Sequence, residues 1–193
     1  MQKNKYNIAV IPGDGIGTEV MPEALKVLNI VSNKYGINLH FDHFDFSSYN
    51  YYSKHGQMMP DDWKKQIGEH DALFFGSVGW PEKIPDHISL WGSLLKFRRE
   101  FDQYINLRPV KLMPGVPSPL ANRKPGDIDF YIIRENTEGE YSGIEHEIVD
   151  GVVQSIKLIT ENASRRVADY AFKYAKENGR HKVTAVHKAN IMR

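Results

Sequence analysis

Tyr6-Asn7-Ile8-Ala9-Val10-Ile11-Pro12-Gly13-Asp14-Gly15-Ile16-Gly17 is the stretch on which the fold turns. Tyr6 to Ile11 reads as a short buried strand. The glycine-rich turn after it sends the chain into a helix whose apolar face is Ile16, Val20, Ala24, Val27, Leu28 and Val31. Pro22 lies inside that pattern and predicts a kink or a later helix start. A dinucleotide-binding turn also runs from a strand through glycines into a helix. Here the spacing is Gly-x-Gly-x-Gly rather than Gly-x-Gly-x-x-Gly, and although Asp42 or Asp45 could be argued as the ribose-binding acid, neither is clear. The segment is therefore read as a tight strand-to-helix turn.

Outward from this turn, Leu39 to Phe46 alternates apolar with polar until Phe44 and Phe46 fall out of phase, which predicts a strand with a bulge. His40, Asp42, His43 and Asp45 imitate a metal cluster, but on an alternating strand they read as its solvated face. Asp61-Asp62 before Trp63 is a candidate helix cap, and Ala72-Leu73-Phe74-Phe75-Gly76 is a buried-type strand. Strand, helix, strand, helix, strand is the rhythm of a parallel α/β sheet. The prolines from Pro109 to Pro125 predict a loop crossing between domains, dividing the chain into 1–108 and 109–193.

Asp129 to Arg134 reads as a buried strand ending at an arginine. Tyr141 to Val149 and Val152 to Thr160, joined by Asp150-Gly151, read as a hairpin. Asn162 to Asn178 reads as an amphipathic helix through Ala163, Val167, Tyr170, Ala171 and Tyr174, stopped by Gly179. His181 to His187 reads as a last strand, delivering Lys188-Ala189-Asn190.

Composition narrows the function classes. With 193 residues, 41% hydrophobic and 25% charged, the chain has enough apolar material for a real core. A net charge of +1 implies no general attraction to nucleic acid or to an anionic membrane surface, and the absence of cysteine excludes disulfides and thiolate metal sites. No apolar run approaches the ~20 residues that span a bilayer. The chain enters an apolar strand by Tyr6, so we expect no signal peptide and a cytoplasmic protein.

Three arginines stand out: Arg98 in Leu94-Leu95-Lys96-Phe97-Arg98, Arg108 in Asn106-Leu107-Arg108-Pro109, and Arg134 in Ile133-Arg134-Glu135-Asn136-Thr137-Glu138-Gly139-Glu140-Tyr141. Arginine stays charged at any working pH and grips a carboxylate through two parallel hydrogen bonds, so converging arginines suit a small di- or tricarboxylate. The plainer reading pairs each with an adjacent acid, as in Arg98-Arg99-Glu100 or Arg134-Glu135.

These segments, in this order, resemble the β-decarboxylating dehydrogenases, the family of isocitrate, 3-isopropylmalate, tartrate and D-malate dehydrogenases. The resemblance runs from about Ile8 to the last residue. It implies an α/β fold of the isopropylmalate dehydrogenase type rather than a classical Rossmann domain, incomplete in this chain. It also implies NAD-dependent oxidative decarboxylation of a small 2-hydroxy acid. Arg98, Arg108 and Arg134 would bind substrate carboxylates, Lys188 would be the base, Tyr141 would protonate the enol, and Asn190 would lie near the nicotinamide of NAD.

The family's serine and asparagine for isocitrate, six and four residues before the first arginine, are here Gly92 and Leu94, with Ser93 one position off. D-malate or tartrate is therefore expected. After Tyr141 the text is closer to NAD-linked isocitrate dehydrogenase subunits, which keeps isocitrate as the alternative. The Mg2+ or Mn2+ ligands and main adenosine loop of the family follow the lysine motif, so none is expected in this chain. A homodimer joined through the hairpin arm is expected, with a non-catalytic remnant or regulatory partner as the alternative of another class.

Overall fold

The computed structural model describes residues 4–192. Two compact units divide the chain, one ending at Phe97 and the other beginning at Arg98. Residues 108 and 109 lie within a single strand of the second unit.

In the first unit, β1 (Lys5–Gly13) lies between β2 (Asn38–His43) and β3 (Ala72–Ser77), parallel to both. A central parallel strand needs apolar side chains on both faces, and Ala9, Val10 and Ile11 are fully buried. The first turn packs backbone on backbone: a Cβ at Gly13 (φ +77°) would meet the Ser77 carbonyl oxygen at 2.0 Å, and one at Gly17 would meet that of Pro12 at 2.2 Å. These glycines let strand and helix close on each other. At the same turn the Asp14 carboxylate is buried, its Oδ1 accepting from Tyr49 N at 2.6 Å, and burial pushes its pKa up. A buried acid at the turn is the opposite of a phosphate cradle.

Several local expectations are corrected. Helix α1 (Ile16–Tyr35) runs continuously through Pro22. Its predicted apolar stripe is split: Gly17 and Met21 are buried and Ala24 and Leu28 half-buried, whereas Ile16 is 61% exposed and Val20, Val27 and Val31 are exposed with it. Close approach of the helix N-terminus to β3 selects the face with the smallest residue. Strand β2 pairs in even register and ends at His43 without a bulge, because the chain turns there and Phe46 enters the core. Short α2 (Tyr49–His55) is capped by Ser48, whose Oγ accepts from Tyr51 N at 3.0 Å. Asp62 precedes α3 (Trp63–Ile67) without capping it, since its carboxylate accepts instead from Gln66 Nε2 at 2.8 Å. Asp42 bonds to His70 Nε2 at 3.0 Å and faces His40 at 3.3 Å, an edge pairing.

After β3 come α4 (Asp86–Ser89), a π-helical turn (Leu90–Leu94) and α5 (Leu95–Glu100). Phe97 fixes this run by edge-on ring contacts at 5.2 Å with both Trp63 and Phe75.

In the second unit, β4 (Ile105–Lys111) pairs antiparallel with β5 (Asp129–Glu135). Pro109 sits inside β4, opposite Tyr131, so the proline-rich connection begins later than predicted; an edge strand tolerates the missing N–H. Hairpin β6 (Glu145–Val149) and β7 (Val152–Ser155) is shorter than predicted, because Glu140–Ser142 forms a 3-10 turn instead of strand. Helix α6 (Glu161–Glu177) packs on β5, capped by Thr160, whose Oγ1 accepts from Ala163 N at 3.1 Å. Residues 181–187 form no strand, and Val186 is 94% exposed. A strand exists only through a ladder partner, and none of the described residues provides one.

Candidate active site

Alternation along β5 sorts its side chains. Tyr131, Ile133 and Glu135 share the α6 side, where Tyr131 meets Tyr174 at a ring distance of 5.0 Å. Phe130, Ile132 and Arg134 therefore point to the other face. Asn106 lies directly opposite Arg134, so Asn106 and Arg108 share that face with it.

Beyond β5 the chain is tied down before it presents Tyr141. The Glu135 carboxylate accepts from Thr137 N, Thr137 Oγ1 and Glu138 N at 2.6–3.1 Å. From α6, Arg166 donates to Asp102 at 2.8 Å and to Thr137 Oγ1 at 3.0 Å, and stacks on Tyr104 at 4.4 Å. Glu138 accepts from the backbone N and Oγ1 of Thr160, coupling the same loop to the helix cap. Gly139 (φ +74°) then turns the backbone through a region closed to most residues, and the 3-10 turn places Tyr141 beside the arginines.

The guanidinium carbons of Arg98 and Arg134 lie 5.1 and 5.3 Å from the Tyr141 ring centre, within cation–π range. Arg134 Nη1 donates to the Tyr141 hydroxyl at 3.4 Å, and Arg99 donates to the Tyr141 backbone carbonyl. The Nη1 of Arg98 is buried with no hydrogen-bond partner among the described residues. Such an atom is costly unless an acceptor arrives. Arg98 is the main cause that lowers the Tyr141 pKa below the usual phenol range; desolvation opposes it and Arg134 adds to it. Glu140, 3.9 Å from Arg134 and 2.9 Å from Lys157, balances the positive charge at the rim, and Lys157 is the chief cause lowering its pKa.

Arg98, Arg134 and Tyr141 are thus brought together, and Arg108 shares the sheet face of Arg134. Lys188 and Asn190 are not joined to them. Both are exposed in a terminal turn, where the Lys188 carbonyl accepts from Ile191 N and Met192 N at 2.9 Å. Neither has a hydrogen bond or ion pair to the cluster among the described residues. Arg99, Asn106, Glu135, Asn136 and Arg166 also hold this region together, roles that the motifs themselves do not signal. Strand parity alone exposes Asn106, two residues before Arg108; Arg166 carries no signal outside the fold.

Gly92 faces Met58 so closely that a Cβ there would lie 2.8 Å from Met58 Cγ. Ser93 is fully buried, its hydroxyl donating to the Ser89 carbonyl at 2.5 Å.

A family model described as isocitrate/isopropylmalate dehydrogenase matches residues 7–193. Tartrate dehydrogenase/decarboxylase of Pseudomonas putida is 54% identical over 196 residues, covering 100% of this chain and 54% of that protein. D-malate dehydrogenase [decarboxylating] of Escherichia coli K12 is also 54% identical, covering 95% of this chain and 52% of that protein. The crystal structure of isocitrate dehydrogenase from Methylococcus capsulatus superposes with a TM-score of 0.80 at 33% identity, covering 97% of this chain and 52% of that one. The chain spans about half the length of the curated relatives it matches. It belongs to the isocitrate/isopropylmalate dehydrogenase family.

Proposed function

We propose that this chain supplies the carboxylate-binding and proton-donating part of an NAD-dependent enzyme that oxidises and decarboxylates D-malate or tartrate. The observation that carries the reading is the convergence of Arg98 and Arg134 on Tyr141. Two fixed guanidinium groups hold a dicarboxylate in one orientation. After a proton has left the hydroxyl oxygen and a hydride the 2-carbon, the β-carboxylate departs from the 3-carbon as CO2 and its bonding pair becomes an enolate. Tyr141, a stronger acid than a free phenol, then gives its proton to the 3-carbon, which has lost the carboxylate. Lys188 is assigned as the base that takes the hydroxyl proton, and Asn190 as a neighbour of the nicotinamide.

When bound, NAD would supply the hydride acceptor and Mg2+ or Mn2+ the Lewis acid. Among the described residues no group of three or more His, Asp or Glu that could hold a metal ion comes together. The exposed apolar residues of the hairpin, Ile148, Val149, Val152 and Val153, support pairing with a second copy of the chain. No helix among the described residues is long and apolar enough to cross a membrane, and a cytoplasmic location remains part of the proposal.

The substrate assignment leans on Gly92. A side chain there collides with Met58, and Ser93 is spent on its own helix, so the polar contacts that would favour a tricarboxylate are missing from this turn. Isocitrate is the second reading, favoured by the likeness to an isocitrate dehydrogenase structure. The test is NADH and CO2 formation by the full polypeptide carrying this chain, with Mn2+ and each acid in turn. We expect kcat/KM for D-malate or tartrate to exceed that for isocitrate about tenfold or more. Preference for isocitrate would overturn the substrate, and binding of none would leave a non-catalytic partner.

A further inference from the structure

Arg108 differs from the other two arginines in how it is held. Its Nε donates to Asn106 Oδ1 at 2.7 Å, whereas Nη1 and Nη2 have no hydrogen-bond partner among the described residues. Asn106 Nδ2 in turn donates to Asn136 Oδ1 at 3.3 Å, and Asn136 Nδ2 donates to the Gln103 carbonyl at 2.9 Å. Asn136 is only 5% exposed, and its backbone N donates to the Tyr104 carbonyl at 3.1 Å.

The direction of this relay is forced. A carbonyl can only accept, so Asn136 must turn its Nδ2 toward Gln103 and its Oδ1 toward Asn106. Asn106 must then offer Nδ2 to Asn136, which leaves Oδ1 for a donor, and arginine can only donate. Reversing either amide would set donor against donor or acceptor against acceptor. Fixing Nε also fixes the plane of the guanidinium and leaves its outer edge for a two-point grip on a carboxylate. Asn106 meanwhile stands directly across the ladder from Arg134, so one neutral residue separates two guanidinium groups on the same sheet face.

We infer that Asn106, oriented by Asn136, is a positioning residue that fixes Arg108 beside Arg134 as the second point of attachment for a dicarboxylate substrate. The identity of that ligand rests on the dehydrogenase reading; the relay itself does not. The test uses the full polypeptide and two readouts. Hydrogen exchange at the Arg108 Nε–H, assigned by its loss in Arg108→Lys, reports the relay without any substrate. It is slow in the wild type and accelerates about tenfold or more in Asn106→Ala, in line with loss of a hydrogen bond to a charged group.

In steady state, Asn106→Ala raises the KM for D-malate about tenfold while kcat stays within about twofold. In the Arg108→Lys background, the same change adds less than about twofold, because the group it acts through is gone. If Asn106→Ala folds poorly, Asn106→Ser, whose side chain is too short to span the gap, is read in the same way. Unchanged Nε–H exchange in these variants overturns the relay. A full additional effect in the Arg108→Lys background overturns positioning in favour of a purely structural role. A wild type that shows the protected Nε–H but binds neither D-malate, tartrate nor isocitrate overturns the dehydrogenase reading, and with it the substrate role, while the relay stands.

Discussion

The Arg98–Arg134–Tyr141 cluster and the Lys188–Asn190 turn are equally explicit as sequence motifs, yet the structure treats them differently. The cluster is assembled by a ladder, a helix cap and the Glu135–Arg166 network, all inside one compact unit. The terminal turn hangs from residues 181–187, which have no ladder partner among the described residues, and its side chains lie in solvent. A motif names the chemistry; only a scaffold whose hydrogen bonds are satisfied gives it a place. The contrast makes a division of labour: carboxylate binding should depend on the cluster and Arg108 but not on the terminal turn, and turnover on both regions.

Lys188→Met should break the comparison most sharply, lowering kcat roughly a thousandfold as loss of a general base does, with D-malate affinity within about threefold of wild type. A comparable loss of affinity, measured by calorimetry, would show that the terminal turn belongs to the binding site. Arg134→Ala comes next, with kcat/KM down roughly a hundredfold, mostly through weaker binding, because it removes a carboxylate grip and unbalances Glu140. Tyr141→Phe should lower kcat by a similar factor with KM nearly unchanged.

The pH profile carries a sign. Tyr141 must be protonated to donate, and its pKa lies below the ordinary value of about 10, so activity should fall as pH rises through that lowered value. Arg98→Met, removing the chief cause, should move this alkaline limb upward. A limb that does not move would take Tyr141 out of the proton transfer.

Arg166→Ala should cost about 2 kcal/mol of stability in urea unfolding, through the lost bonds to Asp102 and Thr137 and the stacking on Tyr104. Its neighbour Arg165, paired with Glu161 one helical turn away and largely exposed, should cost less than about 0.5 kcal/mol when changed to Ala. Equal effects for the two would remove the network from the account.

The same contrast explains what could be read in the sequence. The order of strands and helices was legible because burial of a parallel strand leaves an apolar run such as Ala9-Val10-Ile11, and α6 because its apolar spacing matches the face it lays on β5. The face of α1 was not, since approach to β3 is decided by Gly17 rather than by the stripe of larger apolar residues. The arginines and Tyr141 were legible as a motif; their convergence needed the ladder register. Arg166 lies about thirty residues beyond the loop it clamps, and such a contact has no local signature.

The most direct test of the central claim, that two arginines and Tyr141 form one carboxylate site, is the phenolate titration of Tyr141, taken as the absorbance difference between wild type and Tyr141→Phe with and without D-malate. The account predicts a Tyr141 pKa below that of free tyrosine, rising when D-malate binds, because the carboxylates neutralise the guanidinium charges that lower it. An ordinary phenol pKa, unmoved by saturating D-malate, would contradict it.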